Sequence, residues 1–213
     1  MKIGIIGANG NLGKKVTKCA LERGYEVKTF IYNGELPYQD VEVVQKSLFD
    51  MEREEIEDVD VLISTFGSGF KVDPIINYKA FLKYIELLKD TNKKLIAVAG
   101  AGCLYTDKSH TLREYETPEH SEKLRGISRN NLKGIQELEK STIEWCTVSP
   151  SRYFDLNGGY TGDYIVGNQE EIIFNEDGES YLTYDDMACA ILDIVDSNNY
   201  VKKNLTFATR KKV

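Results

Sequence analysis

The chain opens with a short apolar run, Ile3 to Ile6, that stops at Gly7. Beyond a stretch of glycine and asparagine, apolar positions recur at helical spacing, Leu12, Val16, Cys19 and Ala20, with Lys14, Lys15, Lys18 and Glu22 on the other face. The first pattern predicts a strand buried on both sides, the second an amphipathic helix over Asn11 to Arg23 that closes at Gly24 in a left-handed cap. The same alternation continues. Further strands are expected at Glu26 to Ile31, Val41 to Val44, Asp60 to Thr65, Lys94 to Ala99 and Glu144 to Val148. Between them, Asp73 to Lys89 reads as a helix with Pro74 in its first turn, and Ser121 to Lys140 as a second whose continuity Gly126 and Gly134 weaken. Strands alternating with helices imply a parallel sheet covered on both faces.

After Pro150 the texture changes to glycine, asparagine and tyrosine, with short β-like pieces near Tyr164, Ile172 to Phe174 and Tyr181 to Thr183. A helix over Asp185 to Val195 and a strand over Asn204 to Ala208 follow. The expected fold is α/β, a Rossmann-type doubly wound parallel sheet forming a single domain over residues 1–213, with a small substrate-side lobe over residues 150–183. Composition agrees: 41% hydrophobic and 29% charged residues describe an ordinary globular chain. The net charge of -7 argues against a nucleic-acid surface. No run is long enough for a signal peptide or a membrane span, so a cytoplasmic protein with reduced thiols is expected, as a monomer or homodimer. Four scattered cysteines and two histidines offer no metal-ligand spacing.

Gly7-Ala8-Asn9-Gly10-Asn11-Leu12-Gly13 lies between the first strand and the first helix, the place where a glycine pattern carries chemistry. Gly7 permits a tight turn, Gly10 lets backbone approach a pyrophosphate, and Gly13 lets the helix sit close to the sheet. Free N–H groups there, with about half a positive charge from the helix dipole, suit a diphosphate. The end of the second strand, Ile31-Tyr32-Asn33, has neither the acid that takes ribose hydroxyls nor an arginine for a 2′-phosphate. Tyr32 offers a face for adenine and Asn33 an amide for ribose, while Lys14 or Lys15 could reach a phosphate. Thr65-Phe66-Gly67 and Ala99-Gly100-Ala101 end two further strands on the same sheet edge, where ligands of this architecture bind.

These residues resemble the atypical short-chain dehydrogenases/reductases, and within them the group of candidate NADH-flavin reductases. The resemblance runs over nearly the whole chain and rests on Gly7 to Gly13, Ala99 to Tyr105, Thr117-Pro118, Ser149 to Phe154 and Thr161 to Gly167. It implies NAD(P)H lying along Gly7 to Gly13, Thr65 to Gly67 and Ala99 to Ala101, with Tyr32, Asn33, Ser47 and Leu48 at the adenosine end. It further implies Pro150 and Ser151 near the nicotinamide, and Tyr105, Tyr153 and Phe154 bordering an acceptor pocket, with FMN or FAD as acceptor rather than tightly held group. The chain departs from its relatives in having Tyr32 where arginine is frequent, Ser47 where aspartate is frequent, Asn11 where a basic residue is frequent, and Gly102-Cys103 in place of Gly-Ser.

Carbonyl-reducing relatives carry a Tyr-x-x-x-Lys pair, and no tyrosine here has lysine four positions on. A flavin or quinone ring accepts hydride and can draw its proton from water, so positioning supplies most of the catalysis. The leading expectation is hydride transfer from NAD(P)H to a small planar acceptor. Beside it stand a non-catalytic redox sensor that binds the dinucleotide and an epimerase or dehydratase, the last disfavoured by the missing pair. His110 and His120 are expected as solvated loop residues, Cys103 as a small buried thiol, Trp145 as a packing residue, and Glu52-Arg53-Glu54-Glu55 as a solvated helix face.

Overall fold

The computed structural model describes residues 1–39, 41–167, 170–197 and 201–211. β1 (Lys2–Ile6) pairs in parallel with β2 (Glu26–Ile31) on one side and β4 (Val61–Ser64) on the other. β3 (Glu42–Gln45) lies outside β2, while β5 (Lys94–Val98) and β6 (Glu144–Ser149) continue beyond β4. After the short β7 (Tyr153–Asp155), β8 (Tyr164–Gly167) and β9 (Tyr181–Thr183), the chain closes with β10 (Lys203–Thr209). The resulting eight-stranded sheet has the order β3-β2-β1-β4-β5-β6-β10-β8, parallel except where β8 runs against β10. β7 and β9 pair separately.

Among the described residues, four helices cover the sheet: α1 (Asn11–Glu22), α2 (Ile75–Leu88), α3 (Glu122–Lys140) and α4 (Tyr184–Ser197). Because strand side chains alternate, β1 sends Ile3 and Ile5 to the α1/α4 face and Ile6 to the α2/α3 face, and each face has its own core. Leu12, Val16, Met187 and Ile191 fill the first with Val148 and Phe207, while Phe81, Tyr84, Leu87 and Leu138 fill the second with Leu62 and Trp145. This is the doubly wound Rossmann-type α/β fold.

The departures from the sequence reading have local causes. β3 begins one residue later than expected because it is an edge strand with Val43 46% exposed, so its apolar content does not mark its ends. No strand forms at Ile172 to Phe174. The chain there touches Tyr105 through a single bridge at Glu171 and then turns back at Asn175, whose Oδ1 accepts from the Asp177 and Glu179 amides. β7 carried no alternation to reveal it, and the four 3-10 turns, among them Ala101–Cys103 and Glu114–Glu116, have no apolar period. α3 runs unbroken because its glycines are contact points. A methyl on Gly134 would come within 2.7 Å of Phe81 Cβ, and one on Gly126 within 2.9 Å of Pro74. Gly24 closes α1 at φ 78°, with the Tyr25 amide donating to Ala20 O, as its position implied.

The turn at Thr161 and Gly162, which leads into β8, is fastened by a buried carboxylate. Asp186, fully buried on α4, accepts from the Thr161 amide and hydroxyl at 2.9 and 2.8 Å, from the Gly162 amide at 3.1 Å and from the Thr209 hydroxyl at 2.8 Å. Replacing it strands four donors at once. Asp186→Ala is expected to lower the free energy of urea unfolding by about 3 kcal/mol or more, whereas Asp177→Ala in the exposed turn changes it by less than about 1 kcal/mol.

Candidate functional site

The site is built where β1 turns into α1. Gly7 takes φ 74°, its amide donating to Phe30 O at 2.9 Å and its carbonyl accepting from the Gly10 amide at 2.9 Å. A side chain on Gly13 would lie 2.8 Å from Ala8 Cα and nearer still to the Gly7 carbonyl, so only glycine allows the helix to start this close to the strand. Gly10 differs. A methyl there has only Gly7 O nearby, at 3.2 Å, so the fold itself leaves room for it. As the residue preceding α1 it supplies no capping side chain, and the first helical turn holds no acidic residue. The positive end of the helix is therefore presented to whatever lies above the turn.

Above it is a cleft of about 520 Å³ at the carboxyl ends of β1, β2 and β4. This is the point where strand order reverses, with β2 and β3 on one side of β1 and β4 on the other. The structure brings Gly7, Asn9 and Gly10, Tyr32, Ser47 and Leu48, and Thr65, Phe66 and Gly67 to its walls. Asn9 is held by a hydrogen bond from its amide to Asn33 O at 2.5 Å, which places Asn33 just behind the rim. Tyr32 is 73% exposed, its ring open to a ligand. Phe66 meets Phe49 edge to face, their centroids 6.0 Å apart, and Thr65 donates to Ile6 O at 3.0 Å, locking β4 to the glycine turn.

Other expected positions fall outside these walls. Leu12 and Gly13 are buried beneath the turn, and Asn11 stands exposed at the start of α1. Ala99, Gly100 and Ala101 lie half-buried at the end of β5, with open space over Gly100 as over Gly67, so they extend the same sheet edge as a shallow shelf. Pro150 and Ser151 are buried, and the Ser151 hydroxyl donates to Phe207 O at 2.7 Å within the sheet. The three aromatic rings are engaged by protein partners. Tyr105 stacks on His110 at 4.4 Å with the Arg113 guanidinium 3.8 Å from its centroid, and Phe154 stacks on Tyr184 at 3.8 Å. Tyr153 packs one face on Tyr181 at 5.6 Å and stays 58% exposed.

The cleft also contains residues that sequence reasoning passed over. Lys46, directly after β3, lines it and pairs with Glu55, whose carboxyl is held below its usual range by that contact. Glu55 is thus more than part of a solvated face. Lys15 is committed to Asp185 at 2.7 Å. Phe49, Met51, Val72 and Ile76 add apolar wall, and no periodicity could have assigned them to a ligand. His110 is exposed but not idle: besides stacking on Tyr105, its Nε2 lies 2.9 Å from Glu171. His120 is half-buried, with Nε2 3.3 Å from Ser128 Oγ, and packs where a methyl on Gly102 would stand 3.0 Å from its ring. Burial, and more weakly Arg125, holds its pKa below the usual value against the pull of Glu114. Cys103 is buried, its thiol donating to Ser128 O at 3.4 Å and pushed up to about 12 by burial.

Comparison with known proteins agrees with this geometry. A family whose members are described as NAD(P)H-binding matches residues 7–198, and the chain belongs to it. YwnB of Bacillus subtilis (strain 168), an uncharacterized protein, is 33% identical over 209 residues, 97% of each chain. The crystal structure of SP1627 from Streptococcus pneumoniae TIGR4, a candidate NADH-flavin reductase, superposes with a TM-score of 0.92 at 28% identity, over 98% of this chain and 99% of that one. A candidate epimerase from Bacteroides thetaiotaomicron shares the fold, with a TM-score of 0.83 at 24% identity over 100% and 98% of the two chains. The protein is a member of the NAD(P)H-binding, atypical short-chain dehydrogenase-like group. No helix among the described residues is long and apolar enough to cross a membrane.

Two outcomes follow from the turn and from His120. Gly10→Leu is expected to keep its thermal midpoint within a few degrees while losing at least about tenfold in dinucleotide affinity by calorimetry, whereas Gly13→Leu fails to fold. Because the folded state disfavours protonated His120, it binds fewer protons than the unfolded chain below the ordinary value of 6.5. Stability therefore falls as pH drops through that value, and in urea titrations between about pH 7 and 5.5 the His120→Gln protein should fall less steeply than the wild type.

Proposed function

We propose that the protein is a reductase that passes hydride from NADH or NADPH to a small planar acceptor of the flavin or quinone type. The observation that carries this is the uncapped, acid-free start of α1 opening on an apolar-walled cleft at the switch point of the sheet. The residues present fit the adenosine and diphosphate half of a dinucleotide: backbone amides from the Gly7 to Gly13 turn for the diphosphate, and Tyr32 with the Ser47-Leu48 segment around the adenosine. Neither Tyr32 nor Asn33, directly after β2, brings a carboxylate that would repel a 2′-phosphate, while Lys46 on the cleft wall is paired with Glu55.

The shelf of Ala99, Gly100 and Ala101 then continues toward the 150–183 segment, which we assign to the acceptor side. There Tyr153, 58% exposed, offers an aromatic surface on which a planar ring could stack. When bound, the nicotinamide supplies the hydride, and the protein's own residues hold the partners in line. No Tyr-x-x-x-Lys pair is available to protonate an alkoxide, and a flavin or quinone needs none, since water can provide the accompanying proton. The name of SP1627 supports the same acceptor class.

Anaerobic stopped-flow with NADH and NADPH against FMN, FAD and a set of quinones tests this. Acceptor-dependent oxidation on the order of 1 s⁻¹ or faster is expected, and Tyr153→Ala should raise KM for the acceptor more than it lowers kcat. Tight dinucleotide binding with no oxidation in the presence of any acceptor would replace the reductase with a sensor.

A further inference from the structure

On the face of the sheet away from α2 and α3, α1 and α4 pack side by side, and at their contact two cysteines meet. Cys19 Sγ and Cys189 Sγ are 3.4 Å apart, although 170 residues separate them in the chain. A disulfide bond is about 2.0 Å long, so closure asks the sulfurs to approach by only about 1.4 Å, within the adjustment two packed helices can make. Both line a surface cleft of about 310 Å³, in which Lys15, Lys18 and Arg23 face Glu22, Asp185 and Tyr160. Cys189 is half-buried and Cys19 nearly buried at the floor.

The other two cysteines have no such setting. Cys103 and Cys146 are buried in separate cores, and burial pushes both thiols up to about 12. Cys19 moves the other way, below its ordinary value, because the Cys189 thiol hydrogen-bonds to it and the Arg23 guanidinium stands beside it, together outweighing its burial. Arg23, directly after α1, is itself fixed by Asp193 and Asp196 and donates to Cys189 O at 3.3 Å, all on α4, so it ties the two helices beside the cysteines. A thiolate at Cys19 and a thiol at Cys189 are the two forms a stepwise oxidation needs.

We propose that Cys19 and Cys189 form a redox-active dithiol that hydrogen peroxide converts to a disulfide tying α1 to α4. The Cys19 thiolate attacks one peroxide oxygen and the O–O bond breaks, giving a sulfenic acid and, after protonation, water. Cys189 sulfur then displaces the hydroxyl from that sulfenic sulfur and loses its proton, releasing a second water. Two thiols and one peroxide thus become one disulfide and two waters, the sulfurs oxidised and the peroxide reduced. The site lies on α1 beyond its cleft-facing end and does not depend on which acceptor the cleft serves.

The test treats the reduced full-length protein with hydrogen peroxide, alkylates the remaining thiols and maps the peptides by mass spectrometry. The expected product is one cross-linked pair joining the peptides of Cys19 and Cys189, with Cys103 and Cys146 still alkylated, and with full return to four free thiols after dithiothreitol. Cys19→Ser and Cys189→Ser should each abolish the cross-link. A Cys103→Ser/Cys146→Ser protein should retain it. Four alkylated thiols after treatment, a sulfinic acid at Cys19 without a cross-link, or a bridge to Cys103 or Cys146 would overturn the assignment, and the wild-type map decides this even if a serine variant does not fold.

Discussion

The turn from β1 to α1 exists because two backbone segments touch where side chains would otherwise stand. Gly13 has no room for a Cβ against Ala8 and the Gly7 carbonyl, and Gly7 must adopt a positive φ to bring that carbonyl round. From this one contact much of the molecule follows. It sets α1 close enough to the sheet for Leu12 and Val16 to enter the core with Ile3 and Ile5, and it leaves the start of the helix level with the carboxyl ends of the strands. The fold and the site therefore share a constraint, and Gly10 is the position where the two separate, since a side chain there meets little of the protein but would occupy the space above the turn.

Charge is distributed so as to complement that geometry. At the amino ends of the strands, Lys2 and Lys28 gather Asp58 and Glu42 at 2.5 to 3.0 Å, and Lys2 above all holds the Asp58 carboxyl down at about 2. At the carboxyl ends, β1, β4 and β5 finish in Gly7, Thr65-Phe66-Gly67 and Ala99-Gly100-Ala101, small or uncharged groups that bring no carboxylate to the helix terminus. An anion approaching from that end of an otherwise acidic protein meets oriented amides and Lys46 rather than the net charge.

What the sequence made legible was whatever is written in consecutive residues. The doubly buried strands read as unbroken apolar runs, α1 and α2 as periodic stripes, and the Gly7 to Gly13 turn as a pattern between them. Edge strand β3 was displaced by one residue because half-exposed valines say little about register. Gly126 and Gly134 looked like interruptions of α3 until Pro74 and Phe81 were found against them. Lys46, the half-buried His120 and the Cys19–Cys189 contact were illegible for a common reason: each owes its character to a partner brought close by tertiary structure, Glu55, Ser128 and a helix 170 residues away. The apolar Ile172 to Phe174 read as a strand that does not form, because the chain there makes one bridge from Glu171 to Tyr105 before it turns at Asn175.

The chemistry is constrained as much by what surrounds the aromatic residues as by their presence. Tyr105 lies between demands from His110 and Arg113, and Phe154 has given a face to Tyr184, so neither ring can turn toward an acceptor without losing a stacking contact. Tyr153 stacks on Tyr181 and is 58% exposed, and it belongs to the two-stranded β7/β9 ribbon rather than to the main sheet. Asp186 fastens the Thr161-Gly162 turn, just before β8, to α4, so this flank of the protein is held in place. For the reductase proposed above, an exposed ring on a paired ribbon suits an acceptor that is bound by stacking and leaves after reduction.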